Sequence, residues 1–159
     1  MRVAIVSPYS WTYPGGVNRH IEALAAQLGA AGHDVRVLAP WDEDTRATSL
    51  RHRGARPHEL EAPDWLIPLG PTIGWSSNGA VSNLSASPAA VATLRRELRA
   101  GDFDVVHLHE PVCPLIGWDA LTSTGAPPTS ASSSPHARTS PPNASCGRSP
   151  RSGRVATPT

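Results

Sequence analysis

The sequence predicts an α/β fold in which one domain is built on a parallel sheet. Short apolar runs of the kind found in strands covered on both faces, Val3-Ala4-Ile5-Val6 and Val35 to Leu38, flank a segment of helical periodicity. Strand, glycine loop, helix and strand in that order form a βαβ unit, which implies parallel pairing and a right-handed crossover. At 159 residues the chain has material for a single hydrophobic core.

The first strand runs into the loop SPYSWTYPGG, Ser7 to Gly16. Behind it Val17, Ile21, Leu24 and Leu28 recur at spacings of four, three and four, one stripe of a helix that Gly32 ends. Pro40 stops the second strand. Residues 41–87 scatter Trp41, Trp65 and Trp75 among Pro, Gly, Ser and charged residues, and they define little beyond a strand near Leu66-Ile67. Ser87-Pro88 then reads as an N-cap followed by proline at the first helical position, and Val91, Leu94 and Leu98 carry that helix to Gly101. Asp104 to His109 is the next strand, closed by Glu110-Pro111.

A formal charge of +1 argues against a dedicated nucleic-acid binder, which would concentrate far more basic charge. Cys113 and Cys146 cannot build a disulfide framework, and Met1-Arg2 leads straight into a strand without a signal-peptide core, so a reducing cytoplasm is expected. No stretch approaches the ~20 apolar residues of a spanning helix, which leaves peripheral membrane contact. The charge is unevenly divided. Residues 1–119 hold ten Arg and all thirteen acids, a net of −3, whereas residues 120–159 hold four Arg and no acid, a net of +4. From Leu121 onward the only other large aliphatic is Val155, so 1–120 is expected to be the folded domain and 121–159 a disordered Pro/Ser/Thr/Arg-rich tail. If no strand follows Ala126, the Asp104–His109 strand is left at a sheet edge.

In an open parallel sheet the ligand crevice lies beyond the carboxyl ends of the strands, here Pro8–Gly16 and His109–Pro114. Gly15-Gly16 sits directly before the first helix, where absent side chains and free N–H groups suit a phosphate or polarised sugar; a plain tight turn is the alternative. A nicotinamide dinucleotide would want G-x-G-x-x-G and an acid at the end of the second strand, and the sequence has neither. His107 and His109 alternate along one strand and so face the same way, a geometry also used for metal ligands. A third ligand is wanting, since His136 lies in the tail and Glu110 points to the opposite face, so the pair reads either as hydrogen-bonded interior histidines or as a polar crevice lining.

These residues fall in motifs. Met1–Pro40, with PYSWTYPGGVNRHIEALAAQLGAAGHDVRVLAP, and the later NGAV and GDFDVVHLHEP closely resemble the amino-terminal domain of family 4 retaining glycosyltransferases, nearest to the phosphatidylinositol mannosyltransferases of actinobacteria. The resemblance covers roughly residues 1–127. It implies a Rossmann-like sheet that is the amino-terminal half of a GT-B architecture, with a nucleotide diphosphate sugar as co-substrate, no other cofactor and no essential metal. By that likeness Gly15 and Gly16 match the loop approaching the donor. Tyr9, Asn18 and Asn78 match acceptor-side positions, although the family often has Gln at the place of Asn18 and some members have Asp at that of Thr12. His109 and Glu110 fall in the strand end lining the cleft. Arg95, Arg96 and Arg99 match a basic helix used against anionic membrane lipids, where three arginines supply about 3 kcal/mol before ordering costs; an ordinary solvated face is the alternative.

The resemblance also implies a buried strand ending near F-H-T and a second domain carrying Arg and Lys phosphate ligands. Here PTSASSSPHARTSPP stands at that strand, and the chain has no lysine. Loss of acids, of aliphatics and of resemblance coincide near Pro127, the pattern of a truncated, frameshifted product of GC-rich DNA. Two functions follow as expectations: a retaining hexosyl, above all mannosyl, transferase acting on a lipid-linked or polyol acceptor, incomplete in this chain; or a noncatalytic remnant Rossmann-like module whose basic tail gives only nonspecific, salt-sensitive attraction to nucleic acid or anionic lipid.

Overall fold

The computed structural model describes residues 1–77, 80–85, 87–111, 113, 115–122 and 129–132. Five parallel strands form the main sheet: β1 (Arg2–Val6), β2 (Asp34–Ala39), β3 (Leu66–Pro68), β6 (Val105–His109) and β7 (Thr129–Ser132), in the spatial order β3-β2-β1-β6-β7. The helices are α1 (Gly16–Ala30), α2 (Arg46–Arg51), α3 (Pro88–Ala100) and α4 (Ile116–Thr122). An antiparallel hairpin of β4 (Ile73–Ser77) and β5 (Ala80–Leu84) stands outside the sheet. The expected α/β class and its βαβ opening are present, with a Rossmann-like parallel sheet.

Alternation along the strands divides the core into two layers. Val3 and Ile5 of β1 with Val37 and Ala39 of β2 pack under Ile21, Val17, Leu24 and Leu28 of α1. Ala4, Val6, Leu38, Val106 and Leu108 point the other way, onto Leu94 of α3 and Ile116 of α4. A strand buried on both faces needs apolar residues at consecutive positions, which is why β1 reads as an unbroken run. Gly32 ends α1 with φ +83, and the N–H groups of Gly32 and His33 close on the carbonyls of Gly29 and Leu28. Ser87 caps α3 by accepting from the Ala89 N–H, with Pro88 at the first helical position.

Two differences from the sequence expectation lie at the carboxyl end. Helix α4 runs past residue 120 to Thr122, and Thr129–Ser132, within the segment expected as tail, pair with Val106–His109. The β6 strand therefore has a neighbour on each side, where an exposed edge was expected. The remainder of 121–159, His136 included, lies outside the described residues, and the boundary at residue 120 stays an expectation.

The chain leaves β1 toward β2 on one side, while β6 lies on the other side of β1. The carboxyl ends of β1 and β6 thus flank the point where strand order reverses, and there the loops diverge and open a crevice.

Candidate functional site

The Ser7–Gly15 loop is held by its own polar groups and by the hairpin. Asn18, buried in the first turn of α1, donates its side-chain amide to the carbonyls of Ser10 at 2.9 Å and Trp11 at 3.4 Å. The Ser10 N–H reaches the Asn83 carbonyl at 3.0 Å and the Ser85 N–H the Pro8 carbonyl at 3.2 Å, while Tyr9 bridges to Leu84. Thr12 lies in the core of this joint: its hydroxyl is 3.1 Å from that of Ser10 and accepts the Asp42 N–H at 3.2 Å. An aspartate at position 12 would have to place a charge against this buried contact, and the threonine instead ties the loop after β1 to the loop after β2.

The loop and hairpin border an open cavity of about 470 Å³ lined by Tyr9, Tyr13, Gly15, Gly16, Asn18, His58, Ser82 and Asn83 among others. Of the sequence-predicted residues it gathers Tyr9, Gly15, Gly16 and Asn18; Asn78 lies outside the described residues. Burial raises the Tyr9 pKa, with Glu110 and Cys113 adding to the effect, so its phenol stays a neutral hydroxyl.

Gly15 precedes α1 with φ −144 and ψ −175, extended backbone open to any residue, and α1 has neither a side-chain cap nor an acid in its first turn. A Cβ at Gly15 or Gly16 would meet no atom within 4 Å. Nothing within the described fold requires glycine there, and a turn demanding left-handed backbone is not what these residues form. The uncapped N–H groups and the open space match an anionic group brought close to the backbone.

His109 lies one strand away. The odd positions of β6 face α1, so His107 and His109 share a side with rings 4.7 Å apart, and His20, one helical turn beyond Gly16, brings its ring 5.6 Å from His109. The diglycine bend and the histidine-bearing strand end are thus on one side of the molecule, although His109 and Glu110 do not line the cavity itself. Burial, with His107 and His20 alongside, pushes the His109 pKa down to about 4, and burial with His20 lowers that of His107. Both stay neutral at pH 7. Among the described residues no three His, Cys, Asp or Glu are placed to hold a metal ion.

Glu110 (φ +51) and Leu115 (φ +68) hold left-handed backbone on either side of Cys113, so the loop after β6 carries strain where it meets the crevice. Burial, with Glu110 beside it, raises the Cys113 thiol to about 11.

Helix α3 does not present its three arginines alike. Arg95 Nε donates to both carboxylate oxygens of Asp119 at 2.8 and 3.0 Å and its Nη2 donates to Oδ1, a clamp between α3 and α4. Arg96 pairs with Glu97 at 2.8 Å. Of the three arginines matched to a membrane-facing helix, Arg95 is thus engaged in helix packing. No helix among the described residues is long and apolar enough to cross a membrane.

One group of residues went unseen in the sequence. Asp42, His52 and Thr72, all buried, form a polar cluster behind the cavity, with His52 reaching Asn83 in its wall. Their separations of 10 to 31 positions give no local pattern to read.

The family model for glycosyltransferase family 4 matches residues 14–139, from the diglycine loop to beyond β7. The chain belongs to glycosyltransferase family 4. The match extends past residue 127, where the resemblance in the sequence was expected to stop. Among curated proteins, phosphatidyl-myo-inositol mannosyltransferases are similar to it: that of Mycobacterium leprae is 38% identical over 127 residues, that of Mycolicibacterium smegmatis 37% over 127, and that of Propionibacterium freudenreichii 36% over 129. These alignments take in 80%, 80% and 81% of this family 4 chain but 30%, 29% and 32% of the relatives, so the chain spans about a third of their length.

Proposed function

We propose that this domain is the acceptor-side wall of a retaining hexosyl-transfer cleft of GT-B type, moving mannose from a nucleotide diphosphate sugar to an inositol-bearing lipid or polyol acceptor. The observation that carries the reading is the pair of glycines that nothing in the fold requires. They stand at the strand-order reversal, beside a cavity rimmed by hydroxyl and amide side chains. In this reading Gly15 and Gly16 admit the donor's diphosphate and sugar, where uncapped N–H groups offset negative charge. Tyr9 offers a neutral hydroxyl to the acceptor. Asn18 acts through the loop it ties down, and Asn78 belongs to the same acceptor side. His109 and Glu110 shape the crevice beyond the cavity.

A single wall positions one substrate but not both, and orientation of the pair supplies much of such catalysis. The test is transfer of labelled mannose from its nucleotide diphosphate to phosphatidylinositol vesicles, by the 159-residue chain alone and with the carboxyl-terminal domain of a relative added. We expect transfer only in the second case. Activity from the chain alone overturns the half-cleft reading, and no transfer in either case, with the added domain shown to bind donor, favours the noncatalytic module.

Peripheral contact of α3 with an anionic cytoplasmic membrane surface is part of the same proposal, carried by Arg99 and by Arg96, which stays 70% exposed beside Glu97, whereas Arg95 is held against the buried Asp119.

A further inference from the structure

Behind the cavity, His52 stands between a carboxylate and a carboxamide. Its side chain is 1% exposed and that of Asp42 is fully buried. Asp42 accepts from the Thr72 N–H at 2.9 Å and from the Thr72 hydroxyl at 2.5 Å, so both its oxygens are fixed. His52 Nε2 lies 3.5 Å from Asp42 Oδ1 and 3.4 Å from the Thr72 hydroxyl. Its Nδ1 lies 3.0 Å from Asn83 Oδ1. An amide oxygen only accepts, so with the Asn83 oxygen turned to the ring this contact requires a proton on Nδ1. The imidazole is further pinned by Tyr13, whose ring stacks at 4.7 Å with a 34° tilt. Gly74, the cross-strand partner of Asn83, leaves room for it: a Cβ there would sit 3.5 Å from Nδ1, in ordinary contact.

We propose that His52 is a positioning residue: through Nδ1 it holds the Asn83 carboxamide oxygen inward, which turns the amide NH2 into the cavity as a donor to a hydroxyl or phosphate oxygen of the bound ligand. Asn83 and Tyr13 both line the cavity, and His52 touches both, so one buried side chain sets two parts of the wall. A freely rotating carboxamide would offer acceptor and donor alternately; a fixed one selects ligands rich in acceptor oxygens. The ligand class rests on the acceptor reading above; the amide orientation does not.

The orientation is tested without ligand, by long-range 15N–1H correlation of the imidazole rings in the 159-residue chain. A His52→Asn variant identifies the His52 signals by their absence. A protonated Nδ1 is expected, and a bare Nδ1 overturns the proposal. Binding of myo-inositol 1-phosphate is then followed by calorimetry. His52→Ala and Asn83→Ala should each weaken it about tenfold. His52→Asn, whose amide can replace the Nδ1 donor, should recover to within about threefold, while His52→Gln, which reaches toward Asp42 instead, should not. Undiminished binding by Asn83→Ala overturns the proposal, as does an equal loss in His52→Asn and His52→Ala when both keep the wild-type circular dichroism. A wild-type chain that shows a protonated Nδ1 but ignores this probe refutes the acceptor reading and the ligand half of the proposal, and leaves the amide orientation established.

Discussion

At the scale of single residues, Gly16 separates stability from function. It is the first residue of α1, its neighbourhood is empty, and alanine is the better helix former by roughly 0.5–1 kcal/mol. Gly16→Ala should therefore leave the melting temperature unchanged or slightly higher. In the reconstituted transfer assay it should cost tenfold or more in kcat/KM, because the methyl occupies space kept for the donor. A variant that melts lower would show that the glycine serves the fold. The histidines make the opposite case, a stability effect set by pH. His109 titrates near 4 when folded and near its ordinary 6.5 when unfolded, so between those values the unfolded chain binds more protons. Stability should fall as pH drops from 6.5 toward 4, by on the order of 3 kcal/mol, with His107 acting in the same direction. Thermal melts from pH 7 to 4 should show the loss, and a His109→Leu variant should show a visibly shallower slope. An identical slope would assign the acid sensitivity to other groups.

At the scale of elements, the strained loop after β6 and helix α4 are joined at one point. A Cβ on Gly117 would lie 2.6 Å from the Pro111 carbonyl oxygen and 3.0 Å from that of Glu110, and backbone cannot rotate away as a side chain can. Gly117→Ala should cost about 1–3 kcal/mol, read as a lowered midpoint in urea, and should disturb the Cys113 surroundings before the rest of the sheet. An unchanged midpoint would mean that the loop yields freely. Legibility in the sequence follows the same local logic. The elements β1, α1, β2, α3 and β6 announce themselves because their apolar residues repeat with the period of the structure they form, and Ser87-Pro88 and Gly32 mark ends by backbone chemistry. The hairpin does not: Trp75 is 60% exposed and Ile73 38%, so burial imposes no alternation there. Helix α2 spans six residues, too few for a period, and is held by the Thr45 cap. Of the site, the glycines and the loop around Tyr9 were readable from their place after β1. The Asp42–His52–Asn83 contacts were not, because only the tertiary fold brings those segments together.

At the scale of the molecule, what matters is how the sheet ends. Strand β7 has the sequence Thr-Ser-Ala-Ser, no large apolar residue among them, yet it pairs in register with Val106 to His109. Its shown contribution is the main-chain pairing to β6. Without that pairing, β6 would present a row of open N–H and C=O groups directly beside the histidines and the crevice, the arrangement that templates association between chains. A chain ending after Ser132 should therefore elute at the oligomeric state of the 159-residue chain and bind the inositol phosphate probe as it does. A chain ending after Thr122 should elute as larger species in size-exclusion chromatography at tens of micromolar. Replacing Ser130 and Ala131 together with proline in the 1–132 chain tests the same cause without deletion, since of two consecutive main-chain N–H groups one faces β6 and proline removes it. If the 1–122 chain and the proline variant both keep the oligomeric state of the longer chain and melt at its temperature, β7 contributes nothing to the sheet, and the domain closes at β6.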